Sequence, residues 1–94
     1  MIKVIIERKI AEGLEPNYLQ AARETLKAVL EAPGYISSES LIDVNDPNHN
    51  LIITNWTSIE AWNLWYTSEE RKKVIAQIAP ILLKEEKITI TQTR

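Results

Sequence analysis

The chain has 94 residues, no cysteine and a formal net charge of −2. This length predicts a single domain over residues 1–94, and the lack of cysteine excludes disulfides, thiolate metal sites and cysteine nucleophiles, so we expect a cytoplasmic protein. The one basic cluster, residues 71–73, directly follows Glu69 and Glu70, so its charge cancels locally and we expect neither nucleic acid nor a membrane surface as a partner.

The first predicted element is a strand over residues 2–10. Apolar residues alternate with mostly polar ones, which is the period of a half-buried strand. One face holds Ile2, Val4, Ile6 and Ile10, and the other holds Lys3, Ile5, Glu7 and Lys9. The apolar run is too short and too charged for a signal segment or a membrane span.

A helix is predicted next. Pro16 suits its first turn, and Pro33 with Gly34 marks its end. We expect one face of this helix to be buried, because apolar residues recur at helical spacing. These residues are Tyr18, Leu19, Ala22, Leu26, Val29 and Leu30.

A hairpin follows, with predicted strands over residues 35–44 and 51–56. The polar residues 45–50 between them have the composition of a turn and include His49, the only histidine. We expect His49 to be an exposed loop residue, and no metal site is predicted, because one protomer cannot supply two histidine ligands. Residues 51–53 are all apolar, so the second strand is predicted to be covered on both faces.

Two helices and a last strand complete the chain. Residues 57–60 and 67–70 both have the Thr-Ser-X-Glu spacing of a capping box, so a helix is predicted to begin at each. Pro80 interrupts the second of these helices, and residues 87–94 alternate as a threonine-rich strand.

The order of these elements predicts the fold class. Strand, helix, strand, strand, helix, strand is the α+β, ferredoxin-like βαββαβ pattern, with helices on one face of a four-stranded antiparallel sheet. The other face would expose Ile5 and part of residues 51–53 to water, which a monomer rarely tolerates. We therefore predict a homodimer whose two sheets pack face to face.

The aromatic residues are concentrated at one strand-to-helix junction, with Trp56, Trp62 and Trp65 close together. Bulky rings at such a junction either seal a core or form the wall of a pocket for a flat ligand. Together with Pro33-Gly34-Tyr35, this segment makes the chain resemble the antibiotic biosynthesis monooxygenase family over nearly its whole length. The resemblance implies a homodimer in which two ferredoxin-like sheets form a β-barrel, with a hydrophobic pocket between sheet and helices in each protomer.

Subgroups of that family differ at particular positions. In its cofactor-independent phenol oxygenases, a pocket tryptophan resembles Trp56 and an aromatic residue on the next helix resembles Trp62, but an asparagine is replaced here by Ile52. In its heme-degrading members a helical tryptophan matches Trp65, but the axial histidine falls near Ile75. The resemblance therefore implies no heme and no other cofactor.

Candidate site residues gather around the tryptophan-rich junction. The residues expected to contact a substrate are Ile52, Thr54, Asn55, Trp56, Trp62 and Trp65. Glu7 is the candidate catalytic residue, because it is the carboxylate on the strand face that would look into the barrel, where it could accept a proton. Lys3 and Lys9 flank it, which leaves open a simple paired charge at the sheet surface.

Two functions stay open at this point. The first is a cofactor-independent monooxygenase, since an electron-rich phenol or quinol can pass an electron directly to oxygen in a dry pocket that accepts its proton. The second is a non-catalytic homodimer that binds a small hydrophobic ligand or has a structural or regulatory role, because a fold does not determine a function. A pocket large enough for a two-ring aromatic ligand would favour binding or catalysis, and a pocket closed by Trp62 and Trp65 would favour a structural role.

Overall fold

The computed structural model describes the whole chain from Met1 to Arg94. The strands are β1 (Ile2–Lys9), β2 (Tyr35–Asp43), β3 (Asp46–Trp56) and β4 (Lys87–Gln92), and the helices are α1 (Glu15–Val29), α2 (Ile59–Tyr66) and α3 (Glu69–Ile78), followed by a 3₁₀ turn (Ala79–Ile81). All neighbouring strands are antiparallel, in the order β2-β3-β1-β4. This arrangement confirms the predicted α+β, ferredoxin-like fold.

The alternation in β1 sets the two faces of the sheet. Ile2, Val4 and Ile6 are buried against the helices, and we call their side of the sheet the helix face. Lys3, Ile5, Glu7 and Lys9 lie on the other side, which we call the open face. Because β1 pairs with both β3 and β4, its register assigns the residues of those strands to the same two faces.

The main core is built around the tryptophans. Trp56 is 0% exposed and packs with Trp62 and Trp65 against the inner residues of β1. Tyr35, Trp56, Trp62 and Tyr66 form a chain of rings whose centroids are 5.5, 5.6 and 5.7 Å apart. Edge-on and tilted contacts of this kind add to the stabilisation from burial, so this chain of rings joins β2, β3 and α2.

The first helix is shorter than predicted, and its buried stripe is narrower. It ends at Val29 rather than at Pro33-Gly34, because the chain turns over residues 30–34 and Gly34 adopts a φ of +84°. Three leucines that the helical spacing predicted to be buried are exposed: Leu19, Leu26 and Leu30. Two of them, Leu19 and Leu26, border a cavity between this helix and the sheet.

The predicted loop over residues 45–50 is wrong. The β2–β3 hairpin closes through a two-residue turn at Val44 and Asn45, and β3 begins at Asp46 and contains His49. The carboxylate of Asp43 accepts a hydrogen bond from the backbone N–H of Asn45 at 2.8 Å, which suits a tight turn. Pairing with the far end of β1 then keeps the polar segment extended, despite its turn-like composition.

The two helix starts lie one residue beyond the prediction. Ser58 and Ser68, rather than the preceding threonines, cap α2 and α3, and each Oγ accepts a hydrogen bond at 3.1 Å from the backbone N–H three residues on. The Thr57 N–H donates to the carbonyl of Gly34 at 2.9 Å, so it is not free for the return bond of the predicted capping box. The Gly34 turn is thereby held against the start of α2.

Gly34 and Gly13 provide a matched test of this contact. Both have positive φ, but a Cβ on Gly34 would overlap the Ala61 side chain and lie 2.8 Å from Thr57 Oγ1, whereas one on Gly13 would meet nothing within 4 Å. We expect Gly13→Ala to cost about 1 kcal/mol of unfolding free energy through backbone strain alone. Gly34→Ala should cost about 2–4 kcal/mol, because steric overlap adds to that strain. Urea denaturation of the two variants checks this, and equal losses would contradict it.

Candidate functional site

A cavity of about 260 Å³ lies between α1 and the helix face of the sheet, and we call it the α1 cavity. Its volume is slightly below the range for small-molecule sites, roughly 300–1,000 Å³, so it suits a ligand of only one or two rings. The apolar part of its wall consists of Ile6, Leu19, Ala22, Leu26, Val29, Ile52, Trp62, Trp65 and Ile75. The polar part consists of Arg8, Arg23, Thr25, Ser38, Ser40, Thr54 and Arg71.

Four of the candidate binding residues line this cavity. They are Ile52, Thr54, Trp62 and Trp65. Ile52 and Thr54 belong to β3, where the alternation turns both toward the helices. Trp62 and Trp65 come from one side of α2, and they form part of the cavity wall without closing the cavity.

Trp56 supports the cavity wall from behind and does not line it. Its indole N–H donates a hydrogen bond to Thr54 Oγ1 at 2.9 Å, and the Thr54 hydroxyl lies 3.4 Å from the carbonyl oxygen of Val4. A threonine hydroxyl has one donor and two acceptor positions, so one lone pair of Thr54 is left for a ligand. The tryptophan therefore orients a polar group of the wall.

Glu7 and Asn55 lie on the open face and do not line the α1 cavity. Glu7 pairs with Leu51 and Lys87 in the strand register, one position away from the inward-facing Arg8. Asn55 donates to Ser37 Oγ at 3.1 Å on that same open face. Glu7 therefore cannot accept a proton directly from a ligand in this cavity.

His49 is not the exposed loop residue that was predicted. In β3 its side chain is half-buried on the open face, with Nδ1 2.9 Å from Asp43 Oδ2 and Nε2 3.3 Å from Glu7 Oε1. The hydrogen bond that His49 donates to the Asp43 carboxylate raises the pKa of His49 above its ordinary value, the Glu7 carboxylate adds to this, and partial burial opposes it. The same hydrogen bond lowers the pKa of Asp43.

Two buried arginines share one carboxylate beside the α1 cavity. Arg8 is 3% exposed and Arg71 is 7% exposed. Arg8 Nε donates to Glu86 Oε2 at 2.9 Å, and Arg71 Nη2 donates to Glu86 Oε1. Arg8 also donates to the hydroxyl of the buried Tyr18 at 3.2 Å. We call Arg8, Arg71 and Glu86 the arginine cluster.

The arginine cluster carries one more positive than negative charge. Burial raises the pKa of Glu86, but the charges and hydrogen bonds of Arg8 and Arg71 outweigh burial, so this pKa lies below its ordinary value. The carboxylate is therefore ionised at neutral pH and neutralises only one guanidinium. Arg23 adds a third positive charge to the wall, and the wall contains no Asp, Glu or His.

Neither arginine was predicted to be part of the site, although the sequence contained a signal for both. Arg8 occupies the same register as Ile2, Val4 and Ile6, so the alternation that identifies β1 also turns a guanidinium inward. Arg71 lies three and four residues before Val74 and Ile75, on the apolar side of α3. A buried charge has to be paired. A charged residue at a position that the pattern reserves for apolar residues therefore indicates a buried ion pair, and this signal would have identified both arginines.

A second depression, of about 360 Å³, lies beyond α3, and we call it the α3 groove. Arg71 and Ile75 form part of both walls and separate the two spaces, whereas Glu86 lines the groove alone. Its other charged residues, Lys84 and Glu85, are exposed. We take the α1 cavity as the candidate site, because the tryptophans and the hydroxyl groups of the strands converge there.

No group of three or more His, Cys, Asp or Glu side chains has an arrangement that could hold a metal ion. None of the helices combines the length and the apolar character needed to cross a membrane.

The chain is similar to proteins of one family. The family model described as antibiotic biosynthesis monooxygenase matches residues 1–77. Protein SchA of Streptomyces halstedii is 25% identical over 79 residues, which cover 84% of this chain and 21% of that protein. The 42.8 kDa protein in the whiE locus of Streptomyces coelicolor is 20% identical over 78 residues, covering 83% of this chain and 20% of that protein. The chain thus spans about a fifth of the length of these two relatives.

Solved structures share the fold over 92–99% of their length. A crystal structure of an antibiotic biosynthesis monooxygenase matches with a TM-score of 0.88 and 19% identity, covering 100% of this chain and 99% of that one. A conserved protein from Methanosarcina mazei Go1 matches with a TM-score of 0.91 and 15% identity, covering 99% and 92%. SnoaB from Streptomyces nogalater, a cofactor-independent oxygenase crystallised as the N63A mutant, matches with a TM-score of 0.88 and 11% identity, also covering 99% and 92%. At these identities the likeness concerns the fold alone.

The interaction of His49 with Asp43 predicts a pH-dependent stability. Because the folded pKa of His49 is raised, its contribution is fully present below its unfolded pKa of about 6.5 and is lost as pH rises through the folded value. Because the folded pKa of Asp43 is lowered, its contribution is lost only as pH falls below about 4. His49→Gln should therefore lose more unfolding free energy at about pH 5.5 than at about pH 8.5, as measured by urea denaturation.

Lys3→Gln is the control for this measurement, since Lys3 is an exposed charge on the same face. Its effect should be the same at both pH values. An equal loss for His49→Gln at both pH values would contradict the prediction.

Proposed function

Because the chain belongs to the antibiotic biosynthesis monooxygenase family, we propose that it is a cofactor-independent monooxygenase that oxidises a small phenol or quinol in the α1 cavity. The observation that carries the proposal is the cavity itself, whose wall combines indole rings with hydroxyl and guanidinium groups. Such a mixture suits a flat aromatic body with an oxygen substituent. The substrate contacts would include Ile52, Thr54, Trp62 and Trp65.

The proposed reaction balances without a second reductant. For a naphthol, one O₂ is consumed, one of its oxygen atoms becomes the new carbonyl of the quinone, and the other leaves as water. The substrate loses its phenolic hydrogen and one ring hydrogen, and its four-electron oxidation matches the four-electron reduction of O₂. The first step is electron transfer from the phenolate to O₂, and apolar walls such as Trp62 and Trp65 exclude the water that would quench the radical pair.

A non-catalytic ligand-binding protein is the second candidate function. The observation that favours it is the lack of any Asp, Glu or His on the cavity wall, which leaves no ordinary general base within reach of a bound phenol. Glu7, the base proposed from the sequence, opens to the other face of the sheet. The same cavity would then bind its ligand without transforming it.

We also propose that the protein is a homodimer formed through the open face. In support, Ile5 pairs with Ile53, and Leu41 pairs with Leu51, so four apolar residues lie side by side on adjacent strands. Leu41 is 39% exposed. Apolar residues gathered in this way are usually covered, and a second copy of the sheet matches them in shape and chemistry.

Ile5→Lys should dissociate the dimer, because it would place an unpaired charge in the centre of the interface at a cost of several kcal/mol. Gel filtration with light scattering should give twice the protomer mass for the wild type and the protomer mass for the variant. Leu64→Lys is the matched control, since Leu64 is 68% exposed on α2, away from the open face, and should leave the dimer intact. A monomeric wild type at micromolar concentration would contradict the proposal.

Oxygen uptake tests the proposed reaction. In the presence of EDTA, we expect the wild type to consume one O₂ per substrate with at least one member of a panel of naphthols, dihydroxynaphthalenes and quinols. Ala22→Trp would fill the α1 cavity and should lower kcat/KM by about 100-fold, because the substrate could no longer reach its reactive position.

Ala76→Trp is the matched control for this variant, because Ala76 is exposed on α3 and does not line the α1 cavity. It should retain wild-type turnover. If the folded wild type takes up no oxygen with any member of the panel, the oxygenase proposal is wrong and the ligand-binding function is favoured.

A further inference from the structure

We propose that the α1 cavity selects its ligand as an organic anion, an ionised phenol or a carboxylate, whose negative oxygen is bound by Arg8 and Arg71. The inference rests on the proposed function in using the same cavity, but it does not depend on any reaction with oxygen. It concerns the charge state in which the ligand is bound.

The first support is the distribution of charge. The chain as a whole carries a net charge of −2, yet all three charged residues on the cavity wall are arginines. Glu86 neutralises one of the two buried guanidiniums from behind the wall. An anion in the cavity would complete the neutralisation of the arginine cluster, whereas a neutral ligand would leave one buried positive charge uncompensated.

The second support is the set of unused donors. A guanidinium has five N–H groups. Arg8 donates through Nε and Nη1, and its Nη2 has no partner within the protein. Arg71 donates through Nη2 alone, which leaves Nε and Nη1 without an acceptor side chain. Asn55 Oδ1 is the one fully buried side-chain polar atom that lacks a hydrogen-bond partner. The unpaired nitrogens of Arg8 and Arg71 are therefore not fully buried. Arg8 lines the α1 cavity and not the α3 groove, so its remaining donor group is accessible from the cavity.

Binding as an anion also explains why the cavity can lack a base. An opposite charge within about 4–6 Å lowers the pKa of an acid by roughly 1–3 units. A phenol with an ordinary pKa of about 10 would therefore have a pKa of roughly 7–9 in this cavity. Its ionised fraction at neutral pH would rise by about 10- to 1,000-fold, with the proton passing to bulk water as the ligand enters and without a protein proton acceptor. Arg8 and Arg71 would be binding residues that also generate the electron-rich phenolate.

The experiment is an anaerobic binding titration, in which no oxygen chemistry can interfere. The first probe is 4-nitrophenol, whose phenolate absorbs visible light, and its apparent pKa is measured free and bound. We expect the bound pKa to be lower by at least about one unit, which corresponds to about tenfold tighter binding of the phenolate than of the phenol. The second probe pair is benzoate and benzyl alcohol, which have similar shapes and differ in charge.

The two probes separate the possible ligand classes. Tenfold or tighter binding of benzoate over benzyl alcohol would assign a carboxylate ligand, and a lowered pKa for 4-nitrophenol alone would assign a phenolate ligand. Both outcomes support selection of an anion. An unchanged or raised pKa together with equal binding of benzoate and benzyl alcohol would overturn it, as would failure of every probe to bind at millimolar concentration.

Two variants make the cavity less positive, and a third makes it more positive. Arg8→Met and Arg71→Met each remove one positive charge, and the preference for phenolate over phenol should fall close to one. Glu86→Gln removes the negative charge, so it should bind the anion more tightly than the wild type, and the anion should raise its melting temperature more. A purely structural role for the cluster would weaken binding in all three variants, and that result would also overturn the proposal.

Lys72→Met is the matched control, because Lys72 is the exposed neighbour of Arg71 on α3. It should bind both probes as the wild type does. Anion binding without oxygen uptake would leave this inference standing and remove the oxygenase proposal, whereas oxygen uptake without a preference for the anion would do the reverse.

Discussion

The arginine cluster is the interaction on which the rest of the molecule depends. It joins β1 through Arg8, α3 through Arg71 and the segment before β4 through Glu86, and Tyr18 of α1 completes it with a hydrogen bond. Buried ion pairs are an expensive way to connect elements, since loss of one partner leaves an uncompensated charge at a cost of about 3–5 kcal/mol. Apolar residues of similar volume would connect the same elements at lower cost. A cluster with one positive charge in excess therefore fits a binding role better than a purely structural one.

Side-chain alternation along β1 places two groups of titratable residues on opposite faces of the sheet. Glu7 and Arg8 are consecutive in β1, yet one joins His49 and Asp43 on the open face and the other lines the α1 cavity. Since strand side chains alternate, a shift of one residue in register would exchange the two groups. The pairing of Glu7 with Leu51 and of Arg8 with Asn50 fixes that register. The acidic group thus lies where we propose that a second subunit packs, and the basic group lies where we propose that a ligand binds.

The sequence was sufficient for the fold and for part of the cavity. Alternation in β1 and helical spacing after Pro16 depend on local periodicity, and both are visible in one sequence. The same periodicity turns Ile52 and Thr54 toward the helices, although Asn55, which was predicted as a binding residue with them, lies on the open face. It could not identify Glu86 as the partner of Arg8, because no periodic pattern links residues at opposite ends of a chain. The position of His49 was missed for another reason: its neighbours have turn-like composition, and pairing with β1 overrides that local preference.

The pairing of β1 with β4 determines the order in which this protein can acquire its structure. The sheet places Ile2 opposite Gln92, so a central strand that leaves the ribosome early must wait for an edge strand that leaves late. Contacts so distant in sequence are slow to form, because a long loop must close before they contribute any stability. During that interval Arg8 and Arg71 are already made, while Glu86 is still to come. Burial of these two guanidiniums is therefore coupled to docking of the segment before β4, which brings their carboxylate partner.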